Sequence, residues 1–178
     1  MKRILIATLI GFSVLAAGCN GTTGNPTPTP TTGGTTPTSN ADSTSGLKSI
    51  RPCDLLTDTE ATSLGYKTPG EPAKVAASDG CEWHVPNNGL LRAGIRTNAG
   101  IKDLTLDGDK ITDIKVGKFA AKKEEAGNGS KATCTIVIGV TEKSSVSVIS
   151  TLDVSSEDTA ASCERASKAA DLIAPKLS

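Results

Sequence analysis

Between Asn20 and Gly46 the chain holds ten threonines and four prolines and no large apolar side chain. A segment of that kind cannot bury enough surface to offset the entropy of ordering it, so it is expected to stay disordered. Folding is thereby confined to residues 47–178, about 130 residues, a normal size for one hydrophobic core. The stretch itself reads as a tether: its Thr-Pro alternation favours extended conformations at about 3.1 Å per residue, a reach of roughly 80 Å. Thr beside Pro also fits an O-glycosylated stalk.

What the tether is tied to is written ahead of it. Lys2 and Arg3 precede an uncharged apolar run, Ile4 to Ala17, too short for a membrane span of roughly twenty residues. Residues 1–18 therefore read as a secretory leader. The leader ends Leu15-Ala16-Ala17-Gly18-Cys19, which resembles the bacterial lipobox, with Ala16 where the strongest form has Leu. That resemblance implies cleavage before Cys19 and a diacylglyceryl group on its thiol, with further acylation, such as palmitate, at the new amino terminus. Two or three acyl chains anchor a protein stably where one does not. The expected address is the extracytoplasmic face of a cell membrane, held by lipid at Cys19, with 19–46 as tether and 47–178 as a single domain.

Charge and aromatic content narrow the partners. Nineteen basic residues balance nineteen acidic ones, and loss of the leader leaves a net charge of minus two. No basic stripe is present for phosphate, so nucleic acid is excluded as a partner. Only three aromatic residues, Tyr66, Trp83 and Phe119, lie beyond the leader, little material for stacking bases, sugars or flat cofactors.

The folded part carries Cys53, Cys81, Cys134 and Cys163, an even set in an exported domain, which reads as two disulfides. Zinc is the rival, but no close Cys-x-x-Cys pair supports it. Thr57-Asp58-Thr59-Glu60 is a capping box that starts a short helix ending at Leu64 and Gly65. A second helix starts near Ser155 or Ser156, with Cys163, Ala166, Ala170, Ile173 and Leu177 on one stripe. Between them, strands are expected at 81–86, 90–97, 111–116, 119–124, 132–141 and 145–152. Cys81, Trp83 and Val85 share one face, Glu82 and His84 the other. A three-residue loop, Asn87-Asn88-Gly89, would set Val85 against Leu91, Trp83 against Ala93 and Cys81 against Ile95. Cys134, Ile136, Ile138 and Val140 similarly face Val146, Val148 and Leu152.

Each strand is thus expected to be apolar on one side only. The fold class that follows is α+β: a two-layer sandwich, an antiparallel sheet of five or six strands covered on one face by a short N-terminal helix and a C-terminal helix. Both strand cysteines point into that core. Three disulfide pairings are open, and parity favours Cys53 with Cys81 and Cys134 with Cys163, each contributing about 3.5 kcal/mol in the chain-entropy model.

The lipobox and tether, then Pro52-Cys53-Asp54-Leu55-Leu56-Thr57, Gly80-Cys81-Glu82-Trp83, Cys134-Thr135-Ile136-Val137 and a cysteine in the last helix follow one another in order. The combination resembles the actinobacterial lipoprotein family catalogued as domain of unknown function 3558, over essentially all of residues 50–178. Arg51 stands where that family often has Asp. The resemblance implies an exported lipoprotein domain and supplies no catalytic residue.

The sequence carries few of the residue sets that chemistry requires. One histidine excludes paired-His metal sites, and no nucleophile elbow or phosphate loop occurs. The acidic series Asp103, Asp107, Asp109 and Asp113 lacks calcium-loop spacing, so Asp107-Gly108 reads as a turn, as does Gly127-Asn128-Gly129-Ser130. Lys122-Lys123-Glu124-Glu125 reads as a charged edge, and Trp83 as core. No metal, cofactor or catalytic residue is expected. The remaining candidate is the polar sheet face, where Glu82, His84, Arg92 and Arg96 could receive a small anion or carboxylate. The expected role is a non-catalytic binding or accessory module of the cell envelope, contacting an envelope protein or a small hydrophobic ligand. The alternatives are a structural component of an envelope complex, and a hydrolase using carboxylates such as Asp54, Glu82 or Asp113.

Overall fold

The computed structural model describes residues 46–178 apart from position 154. The leader, Cys19 and the tether as far as position 45 lie outside the described residues. The chain opens with two 3-10 turns, Gly46–Ser49 and Pro52–Leu55, and helix α1, Asp58–Ser63. Strands β1 (Glu71–Val75), β2 (Ser78–His84) and β3 (Leu90–Arg96) follow, then β4 (Lys110–Val116), β5 (Phe119–Glu125), β6 (Thr133–Thr141) and β7 (Ser144–Thr151). Helix α2, Thr159–Ile173, runs on into a last 3-10 turn, Ala174–Lys176. The strands form one antiparallel sheet in the order β1-β2-β3-β7-β6-β5-β4. The expected α+β layering holds, with seven strands in place of five or six.

Local chemistry fixes the helices. The Thr57 hydroxyl accepts from the Glu60 N–H, and Glu60 accepts from the Thr57 N–H, closing the capping box; Gly65 then leaves the helix at φ 84°. Asp158 caps α2 by accepting from the Ala161 N–H at 2.9 Å, so the helix begins three residues later than the Ser155–Ser156 expectation. Those serines are taken up instead by a turn in which Asp153 accepts from the Ser155 hydroxyl and N–H. The stripe Cys163, Ala166, Ala170, Ile173, Leu177 is buried along its whole length. It packs on β6 and β7, and the Ser162 hydroxyl donates to the Ser150 carbonyl at 2.9 Å.

The other half of the core comes from the amino-terminal turns. Leu47, Leu55, Leu56 and Tyr66 are buried with Trp83, Leu91, Ala93, Ile136, Ile138, Val146 and Val148. Each large side chain so enclosed contributes about 1.5–3 kcal/mol. Burial pushes the Tyr66 phenol up to about 12, against the pull of Arg165. Gly70 lies close against the indole of Trp83 and the Cys81 sulfur, where a Cβ would collide with the ring nitrogen. Lys176 ties the end of the chain to this layer by donating to the Leu55 carbonyl at 2.8 Å and to Glu60.

Three sequence expectations need correction. The first hairpin pairs Trp83 with Leu91, Cys81 with Ala93 and Asp79 with Ile95, two residues away from the expected register. Its loop is five residues, Val85 to Gly89, closed by the Val85 N–H on the Gly89 carbonyl at 2.9 Å. Three- and five-residue loops share parity, so every side chain keeps its face. Strand β1 was not expected at all: Pro72 weakens it as a strand, and its two-residue turn to β2 is Ala76-Ala77, both at positive φ. Alanine there carries none of the Asn or Gly signal such a turn normally shows.

The third correction concerns the sheet face away from α2, which is not uniformly open. The connection 97–109 must carry the chain from β3, third in the sheet, to β4 at its edge, roughly 19 Å away at ~4.8 Å per strand. It crosses over the outer face. Ile101 seats on Gly139, whose added Cβ would meet it at 2.8 Å, and the Ser145 hydroxyl donates to the Ala99 carbonyl at 2.8 Å. At the far end the N–H groups of Asp107 and Gly108 donate to Glu124 at 2.8 and 3.0 Å. Between these points Val137 and Thr135 are buried. Glu124 is itself buried and β5 is interior to the sheet, so Lys122–Glu125 is not the protective edge expected of it.

Candidate functional site

The two disulfides are Cys53–Cys81 and Cys134–Cys163, the pairing that strand parity favoured. They fasten the amino-terminal turns to β2 and α2 to β6. Two such bonds indicate an extracytoplasmic protein, folded where thiols are oxidised. No helix among the described residues is long and apolar enough to cross a membrane.

Where the crossing connection ends its cover, the outer face of β2 and β3 is capped by Val75 over Gly80 and Gly94 and open from Glu82 and Arg92 onward, and the polar candidates Glu82, His84 and Arg92 fall in that open part. Glu82 and Arg92 are direct cross-strand partners. The Arg92 Nε donates to Glu82 Oε2 at 2.5 Å, and His84 Nε2 lies 2.8 Å from Glu82 Oε1, two residues along the same face. Both carboxylate oxygens are therefore engaged. The Glu82 side chain is 17% exposed beneath an imidazole at 48% and a guanidinium at 41%. The half-buried acid accepts from the Arg92 guanidinium and lies beside the imidazole, both of which are more exposed than the acid itself. A guanidinium held in this way is suited to a carboxylate or phosphate group.

The expected geometry is changed in two respects. His84 stands opposite Leu90, not opposite Arg92. Arg96 does not join the cluster: it lies four residues along β3, roughly 13 Å away, and donates to the Ser147 hydroxyl. Burial lowers its guanidinium below the ordinary arginine value. In exchange the fold adds neighbours that were not foreseen. Glu71 of β1 is the other cross-strand partner of Glu82, and Ile149 of β7 stands beside Arg92. With half-buried Leu90 and Ile149 at its margin, the patch is polar in the middle and apolar at the side. Glu71 went unseen because β1 did; Ile149 was visible as a strand residue, but its neighbour depends on β3 and β7 pairing, which no local pattern states.

The carboxylates weighed for hydrolysis are not assembled. Glu82 is on β2 and Asp113 on β4, five strands apart and roughly 24 Å. Asp54 pairs with Arg51 at 2.8 Å and follows Cys53, which is bonded to Cys81 on the helix side of the sheet, away from Glu82. The acidic series is likewise dispersed: Asp103 accepts from the Gly100 N–H at 2.9 Å, Asp107 from the Asn128 N–H at 3.1 Å, and Asp113 from Lys122 at 2.6 Å. Among the described residues no three His, Cys, Asp or Glu side chains converge on a point that a metal ion could occupy.

Two open grooves of similar size stand apart from the Glu82–His84–Arg92 cluster. One groove of about 640 Å³ runs where β5 and β6 diverge, lined by Ile101, Ile114, Ala120, Val140 and a rim of Lys102, Lys122 and Glu142. Another of about 640 Å³ lies where α2 begins, between Lys123 and Glu125 on one side and Glu157 and Glu164 on the other. Neither includes Glu82, His84 or Arg92.

A family model described as "Protein of unknown function (DUF3558)" matches residues 14–176. No curated protein and no solved structure matches the chain.

Proposed function

The chain belongs to the DUF3558 family, and from that premise we propose that it is a lipid-anchored extracytoplasmic module that binds a partner in the cell envelope through the open outer face of β2 and β3. The observation that carries the reading is the Glu82–His84–Arg92 cluster: a half-buried carboxylate with a more exposed guanidinium and imidazole beside it, on a part of the outer face that the 97–109 connection does not cover. Glu82 is engaged by Arg92 and stands far from the other carboxylates weighed for hydrolysis, which suits recognition of an acidic or phosphorylated group better than catalysis. The anchor is carried by the leader and Cys19, and the two disulfides are consistent with it.

The anchor and the binding face are tested separately. Intact mass of the mature full-length chain should give a product beginning at Cys19 with acyl chains added, and Cys19→Ala should stay unprocessed or leave the membrane fraction. For the face, Arg92→Glu should abolish retention of the envelope partner while leaving anchoring unchanged and the domain folded, with stability lowered by about 1 kcal/mol because three carboxylates then line up across β1, β2 and β3. Unchanged retention would refute the binding role of this cluster. A second reading, a small apolar ligand, is favoured by the groove beside Ile101 and Val140; an Ile101→Arg chain that loses ligand while Arg92→Glu keeps it would select that reading.

A further inference from the structure

We infer that β4 is a pairing edge for a second copy of this chain, an inference independent of the binding face just described. The sheet has two edge strands, and they differ. β1 contains Pro72, which has no N–H to offer, and its end is bent so that Val75 packs on Gly80 and Gly94. β4 has neither proline nor bulge and matches β5 without interruption from Lys110↔Glu125 to Val116↔Phe119. Helix α2 lies over β6 and β7, so it leaves the rim of β4 clear. Ile111 of this strand, 44% exposed, is the one large apolar side chain so exposed among the described residues.

The hairpin geometry decides which backbone groups are free. β4 and β5 are joined by the two-residue turn Gly117-Lys118, with Gly117 at φ 56°. The closing pair of such a turn, Val116 and Phe119, exchanges its hydrogen bonds, and bonded pairs alternate from there. Ile111, Asp113 and Lys115 therefore turn their N–H and C=O groups away from β5. A second β4 running antiparallel must set odd positions against odd positions.

Charge then selects among the registers that satisfy this rule: centring on Thr112 sets each Asp113 against the other copy's Ile111, with no cation opposite it. Centring on Asp113 sets two carboxylates against each other, and centring on Lys115 sets two ammonium groups together, both unfavourable. Centring on Ile114 places each Asp113 opposite the other copy's Lys115, twice over, with Thr112 against Val116 and Ile111 against the Gly117 turn. The two-fold axis then passes between the two Ile114 side chains, and both α2 helices lie on the same side of a continuous sheet. In the single chain Asp113 meets Lys122, while Lys115 has no ion-pair partner among the described residues. Pro72 on the opposite edge prevents further strand addition, so the assembly closes as a dimer.

The test uses the full-length chain. Without reductant, Ile114→Cys should give a disulfide-linked dimer, because the facing positions are a close non-bonded pair, whereas Thr112→Cys should not, its own counterpart lying four residues off. By sedimentation in detergent, Asp113→Lys and Lys115→Asp should each weaken dimerisation about tenfold, and the double exchange Asp113→Lys with Lys115→Asp should restore it. The charge series decides the matter alone if Ile114→Cys does not fold. A chain monomeric at every concentration, equal cross-linking at both positions, or a double exchange no better than the single ones would overturn the inference.

Discussion

Two glutamates on the same outer sheet face show how one surface is divided between structure and recognition. Glu124 is 6% exposed and accepts from the backbone N–H groups of Asp107 and Gly108, pinning the connection that crosses the sheet. Glu82 lies on the other half of that face and holds only side chains, Arg92 and His84, whose outer atoms are open to solvent. The residue type is the same in both places. A carboxylate committed to buried backbone donors closes its half of the face, while one committed to mobile side chains leaves a surface that a partner can use.

The contrast can be broken most severely at the closed half. Glu124→Ala leaves two part-buried N–H groups without an acceptor and should cost about 1–3 kcal/mol, read as a lower urea midpoint and faster hydrogen exchange at Asp107 and Gly108. Gly139→Leu, which drives a side chain into Ile101, should cost about 1–3 kcal/mol by overpacking, with thermal melting as the check. Bordering the open half, Ala76→Asn with Ala77→Gly should stabilise the chain by about 1–2 kcal/mol by relieving two left-handed alanines; an unchanged melting temperature would dispute that turn.

Effects at the open half should be smaller. Glu82→Ala should cost less than about 1 kcal/mol, since its partners can turn to water, and it should weaken binding less than Arg92→Glu, because the guanidinium is loosened but not lost. Smallest is a pH effect away from both halves. Burial acts to raise the Glu60 carboxyl, but hydrogen bonds from Lys176 and Thr57 outweigh it and hold the group below its ordinary value. A group so lowered stabilises the fold above the unfolded carboxylate value of ~4.3 and loses that contribution as pH falls through the folded value. The stability gap between the wild type and Glu60→Gln should therefore be full at pH 7 and narrow below about pH 4, as followed by thermal melts across pH.

These contrasts also mark what could be read from the residues alone. Period-two alternation in Cys81-Trp83-Val85 and Leu91-Ala93-Ile95 states which face each side chain takes, and that was enough for the layering and for placing the strand cysteines in the core, while three disulfide pairings stayed open. It does not state register, because loops of three and five residues between Val85 and Leu91 give the same faces. β1 was hidden by a turn made of Ala76 and Ala77, whose conformation their composition does not announce. The role of Glu124 was hidden more deeply, since a buried acceptor is recognised only once the 97–109 connection is known to cross above it. Glu82, His84 and Arg92 were legible as a polar face, but Arg96 was separated from them by its bond to Ser147, a contact set by the distant strand β7.

The central claim is that the anchored domain acts through the open half of its outer face. A photo-cross-linking residue placed at His84 of the full-length chain in intact cells should capture one defined envelope component, with the adduct lost in the Arg92→Glu background, while the same probe at Lys115 on the rim of β4 should yield the chain linked to itself. Capture of the same component from both positions, or an adduct at His84 that survives Arg92→Glu, would contradict the account.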